Sequence, residues 1–506
     1  MPTPSAMSVP MPMPLPDADA AVQALAAQAR AELALLAYPD KAWVLPLHGD
    51  DVLDVLVVGG GQSGLGICAS LRANGVTRVA ALDRATEGQE GVWESFARMP
   101  ELRTPKLLNG LDLGLPSLSV QRWYAVRFGD AAWQGIDRIP RTLWMDYLRW
   151  YRDALQLPVE NGVEVTGIRP QGDGVIAVET QARGVAVTRL ARLVVLATGT
   201  DGGGAWRVPF FVSDALPREH YNHSSDAIDF AAFEGKRIGV LGHGASAFDN
   251  AVAALDAGAR SVDLCFRRAR LPRINPHRHI ETAGLMTNYA RLSDATRWQV
   301  AHHFRSEDQP PPRGSFRLAL SSPAFALHAG CGWQQLRWTG DDIAVTTPKG
   351  DLHFDHVICA TGQSFDLSAR PEMKALAPAI ARWSDRYTPP DAQANSTLGA
   401  HPYLGEHYEF TPRETGHADS AWVSRVFAFN SASYVSHGPH STSISGHKHA
   451  LPRLVRGLTQ RLFLDQEGVL VDNLQRHAER ELDLPDDFEQ QQALRAASRF
   501  AAMETA

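Results

Sequence analysis

Apolar residues along this chain change their period several times, and each change predicts a different element. Residues Asp17 to Leu36 are rich in Ala and Leu at helical spacing, so a helix precedes the first strand. Near Val52 the pattern becomes a short apolar run, DVLVV, which reads as a buried strand, and helical periodicity follows in SGLGICASLRANG. From Glu90 to Pro140 there are many turn formers, several tryptophans and no clear period. PRTLWMDYLRWYRDAL then predicts a helix over Thr142 to Leu155. Pro140 precedes it, Thr142 offers a cap, and Trp144, Tyr147, Leu148 and Tyr151 share one face. GVEVTGIRP, GVIAVETQ and LARLVVLATGT predict three strands of a meander. A second strand–turn–helix follows in KRIGVLGHGASAFDNAVAALDAG, and DHVICATGQ repeats the earlier ATG turn. Gln309 to Arg313 is a proline-rich surface loop; beyond Pro371 the pattern weakens until a helical stretch from Glu489 to Met503.

Strands alternating with helices predict an α/β fold with parallel sheets, and the two strand–turn–helix units carry matching glycines. Gly59, Gly61 and Gly64 fill the G-x-G-x-x-G pattern in the first; Gly242 and Gly244, with Ala247 at the tolerated last position, fill it in the second. Such glycines permit a tight turn and close backbone approach to a pyrophosphate, while the helix N-terminus offers free N–H groups to the anion. The residue at the end of the next strand separates the two sites. In TRVAALDRA it is Asp83, which suits a free ribose diol; in SVDLCFRRAR it is Arg267 with Arg268, which suit the 2′-phosphate of NADPH. The two dinucleotide domains are expected to be nested, with boundaries at 1–50 for an N-terminal helical extension, 51–203 and 351–465 for the two parts of the first domain, 204–350 for the inserted NADPH domain, and 466–506 for a helical tail.

Composition narrows the partners. Of 506 residues 44% are hydrophobic and 21% charged, as in ordinary globular proteins, and a net charge of −7 gives no reason to expect nucleic acid. No apolar run approaches the roughly 20 residues that span a bilayer, so no membrane partner is expected. The first 20 residues lack a basic segment and are broken by prolines, which reads as a lead rather than a signal peptide. Cys68, Cys265, Cys331 and Cys359 lie far apart with no C-x-x-C, which points to a reducing, cytoplasmic setting and away from flavin disulfide reductases. The histidines His277, His279, His437, His440, His447 and His449 lack the tight spacing of a metal site, so no metal is expected. Self-association into a homo-oligomer stays open.

GGGQSG, the EGVW stretch, LRTPK, IPRTLWMDYLRWY, the two ATG turns, FEGKRIGVLGHGASAFD and SHGPHSTSISGHKHALPRL together resemble the class B flavoprotein monooxygenases over Val52 to about Phe463. That resemblance implies FAD on the first domain and NADPH on the second, with reduced flavin taking O₂ to a C4a-hydroperoxide that oxygenates a small molecule. It implies FAD or NADPH contacts for Gly59, Gly61, Gln62, Ser63, Gly64, Asp83, Arg84, Trp93, Thr198, Gly199, Gly242, Gly244, Ala245, Ser246, Ala247, Arg267, Arg268, Thr361, Gly362 and Ser443. It also sets Arg103, Thr104 and Lys106 beside the flavin as candidate catalytic groups. The Baeyer–Villiger signature departs at Pro217, Glu219 and Ala227, leaving His223 and Ser224, whereas Ser436 to Ser445 is similar to an element of the N-hydroxylases. N- or S-oxygenation is therefore expected ahead of ketone insertion; a flavin reductase that inserts no oxygen and a non-enzymatic binding protein remain alternatives.

Overall fold

The computed structural model describes residues 11–46, 48–49, 51–107, 110–414 and 418–504. It separates into one unit running to Leu462 and a second from Phe463. In the large unit, helix α1 (Ala18–Leu35) precedes strand β1 (Val52–Val58), helix α2 (Gln62–Ala73) and strand β2 (Val79–Asp83). Helices α3 (Val120–Phe128), α4 (Asp130–Gln134) and α5 (Arg141–Leu155) follow. Strands β3 (Val159–Asn161), β4 (Val163–Gly172), β5 (Val175–Ala182) and β6 (Val185–Gly199) complete the first stretch.

The chain then builds a second sheet from β7 (Tyr221–His223), β8 (Arg237–Leu241), β9 (Ser261–Cys265), β10 (Phe325–His328) and β11 (His356–Cys359). Helices α6 (Ala245–Asp256), α7 (Asp294–Glu307) and α8 (Arg313–Ser321) belong to this stretch. Strand β12 (Val426–Asn430) returns to the first sheet, and helix α9 (His447–Leu464) follows it. The small unit carries helices α10 (Glu467–Arg476) and α11 (Phe488–Glu504), the second of which is the expected final helix.

The first sheet runs β3-β2-β1-β6-β5-β4, with β12 also paired to β6. Its β1 registers in parallel on both sides, Val57 facing Ala81 and Val195. The predicted meander is the antiparallel β4-β5-β6 edge. Six of the seven β1 residues are buried, because helices and loops cover a parallel sheet on both faces. The second sheet, β10-β9-β8-β11-β7, is parallel throughout.

One boundary moves. The segment expected to restart the first domain from 351 contains β11, which lies between β8 and β7 in the second sheet, with His356, Val357, Ile358 and Cys359 all buried there. The crossing comes later, where Gln363–Phe365 pairs antiparallel with Gly204–Trp206, so the outgoing and returning segments of the insertion form one ribbon. Each ATG turn thus completes its own sheet. Helix α5 also starts differently: its N-cap is Pro140, and Thr142 lies inside the first turn. Helix α3 was illegible because its nine residues interleave Arg and Gln with apolar residues, although Ser119 caps it by accepting from Arg122 N.

Five histidines, three of them buried and His277 and His440 half-buried, make stability depend on pH. Burial lowers His277, His356, His440 and His447 from 6.5 to about 4, and His401 to about 3. The unfolded chain takes up protons below pH 6.5 that the folded chain refuses, so stability rises with pH through this window and falls toward pH 4. Each site contributes up to about 1.4 kcal/mol per pH unit there. Urea midpoints between pH 4.5 and 7.5 should show this slope, and His401→Gln, at a site stacked on Phe365, should reduce it by about one proton. A slope unchanged in that variant contradicts the assignment.

Candidate functional site

The first glycine turn joins β1 to α2. Gly59 has φ +108, and an added Cβ would lie 2.6 Å from the Ala197 carbonyl oxygen. A Cβ on Gly64 would lie 1.9 Å from the Gly59 oxygen. The fold itself needs both glycines. Gly61 differs, since a Cβ there meets only Gly91, at 3.5 Å, leaving the space before the α2 N-terminus for a ligand.

Asp83, at the end of β2, holds this turn in place. Its Oδ2 accepts from Gly60 N at 2.7 Å and its Oδ1 from Ala85 N at 2.8 Å. Burial raises its pKa, opposed by those two bonds. Each oxygen retains a lone pair, which is what a ribose diol requires.

Beside the turn lies a cavity of about 280 Å³ lined by Gly60, Gly61, Leu65, Glu90, Met145 and Arg149 among others. Its polar wall comes from α5. Arg149 donates to the Gly88 carbonyl, and Arg152 donates to buried Glu90 at 2.7 Å and to the Val159 carbonyl at 3.0 Å. These two arginines, three residues apart on the polar face of α5, carry no motif; only their spacing on a recognisable helix could have flagged them.

The other first-site residues gather around α2. Gln62 accepts from Trp144 Nε1 at 3.3 Å, and Trp144 packs edge-on against buried Trp93 with ring centroids 6.5 Å apart. Ser63 Oγ lies 2.9 Å from His447 Nε2, at the start of α9. Burial keeps His447 neutral near pH 7. Sequence reasoning gave His447 no role, because Pro452 obscures the helix it begins. Ser443 sits just before α9, donating to the His440 carbonyl and accepting from Gly446 N. Thr198 accepts from Asn430 Nδ2 at 3.1 Å, Gly199 takes φ +57, and Arg84 pairs with Asp201 at 2.7 Å.

Two of the three candidate catalytic residues are cations with partners inside the protein. Lys106 donates to the Trp133 and Ile136 carbonyls, at 2.6 Å each, and so closes the end of α4. Arg103 pairs at 2.8 Å with Asp249, a buried residue of α6 that also accepts from Ser315 Oγ. Both cations are engaged within the protein. Thr104 is half-buried between them.

The second turn repeats the first. A Cβ on Gly242, φ +138, would lie 2.4 Å from the Ala360 oxygen, whereas Gly244 has nothing within 4 Å. Ala245 opens α6, the Ser246 carbonyl accepts from Asn250, and buried Ala247 donates its N–H to the Gly244 carbonyl. Past β9, Arg267, Arg268, Arg270 and Arg273 are all exposed. Thr361 is exposed too, and Gly362, φ +77, accepts from His223 Nε2 at 3.1 Å. His223 Nδ1 meanwhile accepts from Ser225. The histidine left from the Baeyer–Villiger signature therefore braces the second ATG turn. His277 Nδ1 and His440 Nε2 lie 3.1 Å apart, and among the described residues no three His, Cys, Asp or Glu side chains gather as a metal site.

The residues present suit two dinucleotides: each turn leaves one glycine open toward a helix N-terminus, one beside a cavity with a strand-end carboxylate and one beside exposed guanidinium groups. Comparison with known proteins agrees with that architecture. A family profile described as pyridine nucleotide-disulphide oxidoreductase matches residues 56–290. The FAD-dependent urate hydroxylase of Xanthomonas campestris pv. campestris is 44% identical over 443 residues, covering 87% of this chain and 93% of that protein. Among solved structures, the ornithine hydroxylase of Pseudomonas aeruginosa superposes with a TM-score of 0.64 at 20% identity, covering 81% of this chain and all of that one. The L-lysine 6-monooxygenase of Pseudomonas syringae gives 0.61 at 20% identity over 81% and 99%. At such identities these two show the fold.

The two kinds of glycine should separate by mutation. Gly61→Ala is expected to keep the circular dichroism of the parent and lose flavin at least ten-fold in affinity, read from bound absorbance per chain. Gly64→Ala, whose methyl meets backbone, should fail to fold. Stoichiometric flavin in Gly61→Ala contradicts this assignment.

Proposed function

Because the chain belongs to the class B flavoprotein monooxygenases and, within them, to the family of the FAD-dependent hydroxylase that is 44% identical to it, we propose that it hydroxylates urate or a closely related oxopurine, using FAD, NADPH and O₂. The observation that carries this reading is the extent of that likeness, 93% of the relative's length. FAD, when bound, accepts hydride from the reduced nicotinamide and activates O₂; the protein supplies placement, electrostatics and exclusion of water.

Each residue group has a part in that. Gly61 and Gly244 admit the two pyrophosphates to the N-termini of α2 and α6. Asp83 pins the first turn and offers lone pairs to a ribose diol. Arg267 and Arg268 meet a 2′-phosphate with charge-assisted donors. The packed aromatics Trp93, Trp144 and Tyr147 keep water from the wall behind α2.

N- or S-oxygenation is a second reading. It is favoured by the Ser436 to Ser445 segment, folded against the first site with Ser443 bonded to Gly446 N and His447 to Ser63. All three reactions deliver an electrophilic oxygen to an electron-rich centre. Ketone insertion has less support, since His223 is committed to Gly362 and Ser225.

Urate consumption, NADPH oxidation and O₂ uptake, measured together, should run one to one to one. Peroxide equal to NADPH oxidised, with urate untouched, favours the non-oxygenating reductase; turnover confined to an amine or thioether panel favours the second reading. Coenzyme choice is checked separately. Replacing Arg267 and Arg268 by Ala should raise the KM for NADPH at least about 100-fold, each of the two contacts being worth about 1.5–3 kcal/mol, with kcat nearly unchanged. An unaltered KM refutes the 2′-phosphate assignment.

A further inference from the structure

The strand-end rule found only arginines after β9, but the fold brings a carboxylate to the same place from another element. Asp308 follows the last turn of α7 and donates its N–H to the Phe304 carbonyl. Its Oδ2 lies 3.0 Å from Nε2 of His243, the residue between the turn glycines Gly242 and Gly244, and 4.0 Å from the Arg268 guanidinium. The same guanidinium donates to the Ser306 carbonyl at 3.0 Å. Arg268 is thus partly neutralised and tethered, whereas Arg267, one residue nearer the strand, has a stem packed at Gly332 and an exposed side chain.

The backbone at Asp308 is unusual. It takes φ +65 and ψ −176, a region that glycine enters freely and residues with a Cβ avoid. Strain of this kind, held at a side chain that faces a ligand turn, is the sort of outlier that marks a functional group. The bond from His243 holds the Asp308 carboxyl below the usual range, so it is anionic at neutral pH.

We infer that Asp308 is a coenzyme-specificity residue: its carboxylate competes with the 2′-phosphate of NADPH for Arg268 and offers an acceptor to the free 2′-hydroxyl of NADH. The inference rests on the second turn being the nicotinamide-coenzyme site. A carboxylate at that position repels a 2′-phosphate and accepts a ribose hydroxyl, the same logic that separates the two strand ends in sequence. The consequence is an enzyme that uses NADH as well as NADPH, with a narrower preference than its arginines alone would give.

Binding of 2′,5′-ADP and 5′-AMP to the oxidised holoenzyme, by calorimetry, reads this without turnover. Asp308→Asn keeps the side-chain shape, and Asp308→Gly relieves the backbone. Both should shift the affinity ratio at least ten-fold toward 2′,5′-ADP. A ratio within two-fold of the parent in both variants overturns the inference. The Arg267→Ala/Arg268→Ala protein is run alongside. If it loses 2′,5′-ADP while the Asp308 variants keep the parent ratio, the role of Asp308 alone fails. If it binds 2′,5′-ADP like the parent, the coenzyme-site reading fails and the inference with it.

Discussion

Both halves of the large unit depend on one close approach: the first glycine of each turn lies against the carbonyl of the alanine in an ATG strand. A Cβ would stand 2.6 Å from the Ala197 oxygen at Gly59 and 2.4 Å from the Ala360 oxygen at Gly242. No side chain fits, so the turn is pressed onto the neighbouring strand and the helix after it starts at a fixed point. The helix N-terminus, with its free N–H groups, is thereby aimed at the same place in both sheets. Asp83 locks the first turn from its other side. The anion-binding geometry is thus a consequence of how a strand and a turn share space.

The two turns are useful to each other only if their sheets are held together, and polar contacts do much of that. Arg103 reaches from the first stretch to buried Asp249 on α6. Arg98 donates to the Ser224 and Asp226 carbonyls. Residues that a motif reading assigns to chemistry or to a degenerate signature therefore act as joints between the dinucleotide units. A buried carboxylate is costly to leave alone, so losing Arg103 penalises the joint by more than losing one surface ion pair would.

Much of the fold was legible because its strands and helices are driven by local pattern. The glycine turns, Asp83, the arginines after β9, the β4-β5-β6 meander and the α1 and α5 helices all follow from period and spacing. What was hidden depends on distant partners. The strand after Asp355 reads alike in either sheet, and only its pairing with β8 and β7 assigns it. The partners of Lys106 and Arg103 were hidden because those carbonyls and that carboxylate lie elsewhere along the chain. Asp308 was invisible for the same reason: the rule that reads a coenzyme from a strand end does not see a carboxylate delivered by a helix.

On the proposed function, this chain inserts an oxygen atom from O₂ into a small heterocycle. Mass analysis of the product formed from urate, reduced coenzyme and ¹⁸O₂ tests it most directly. The account predicts one ¹⁸O atom in each product molecule. Product carrying only solvent oxygen, or coenzyme oxidation matched by labelled peroxide with urate recovered intact, would contradict it.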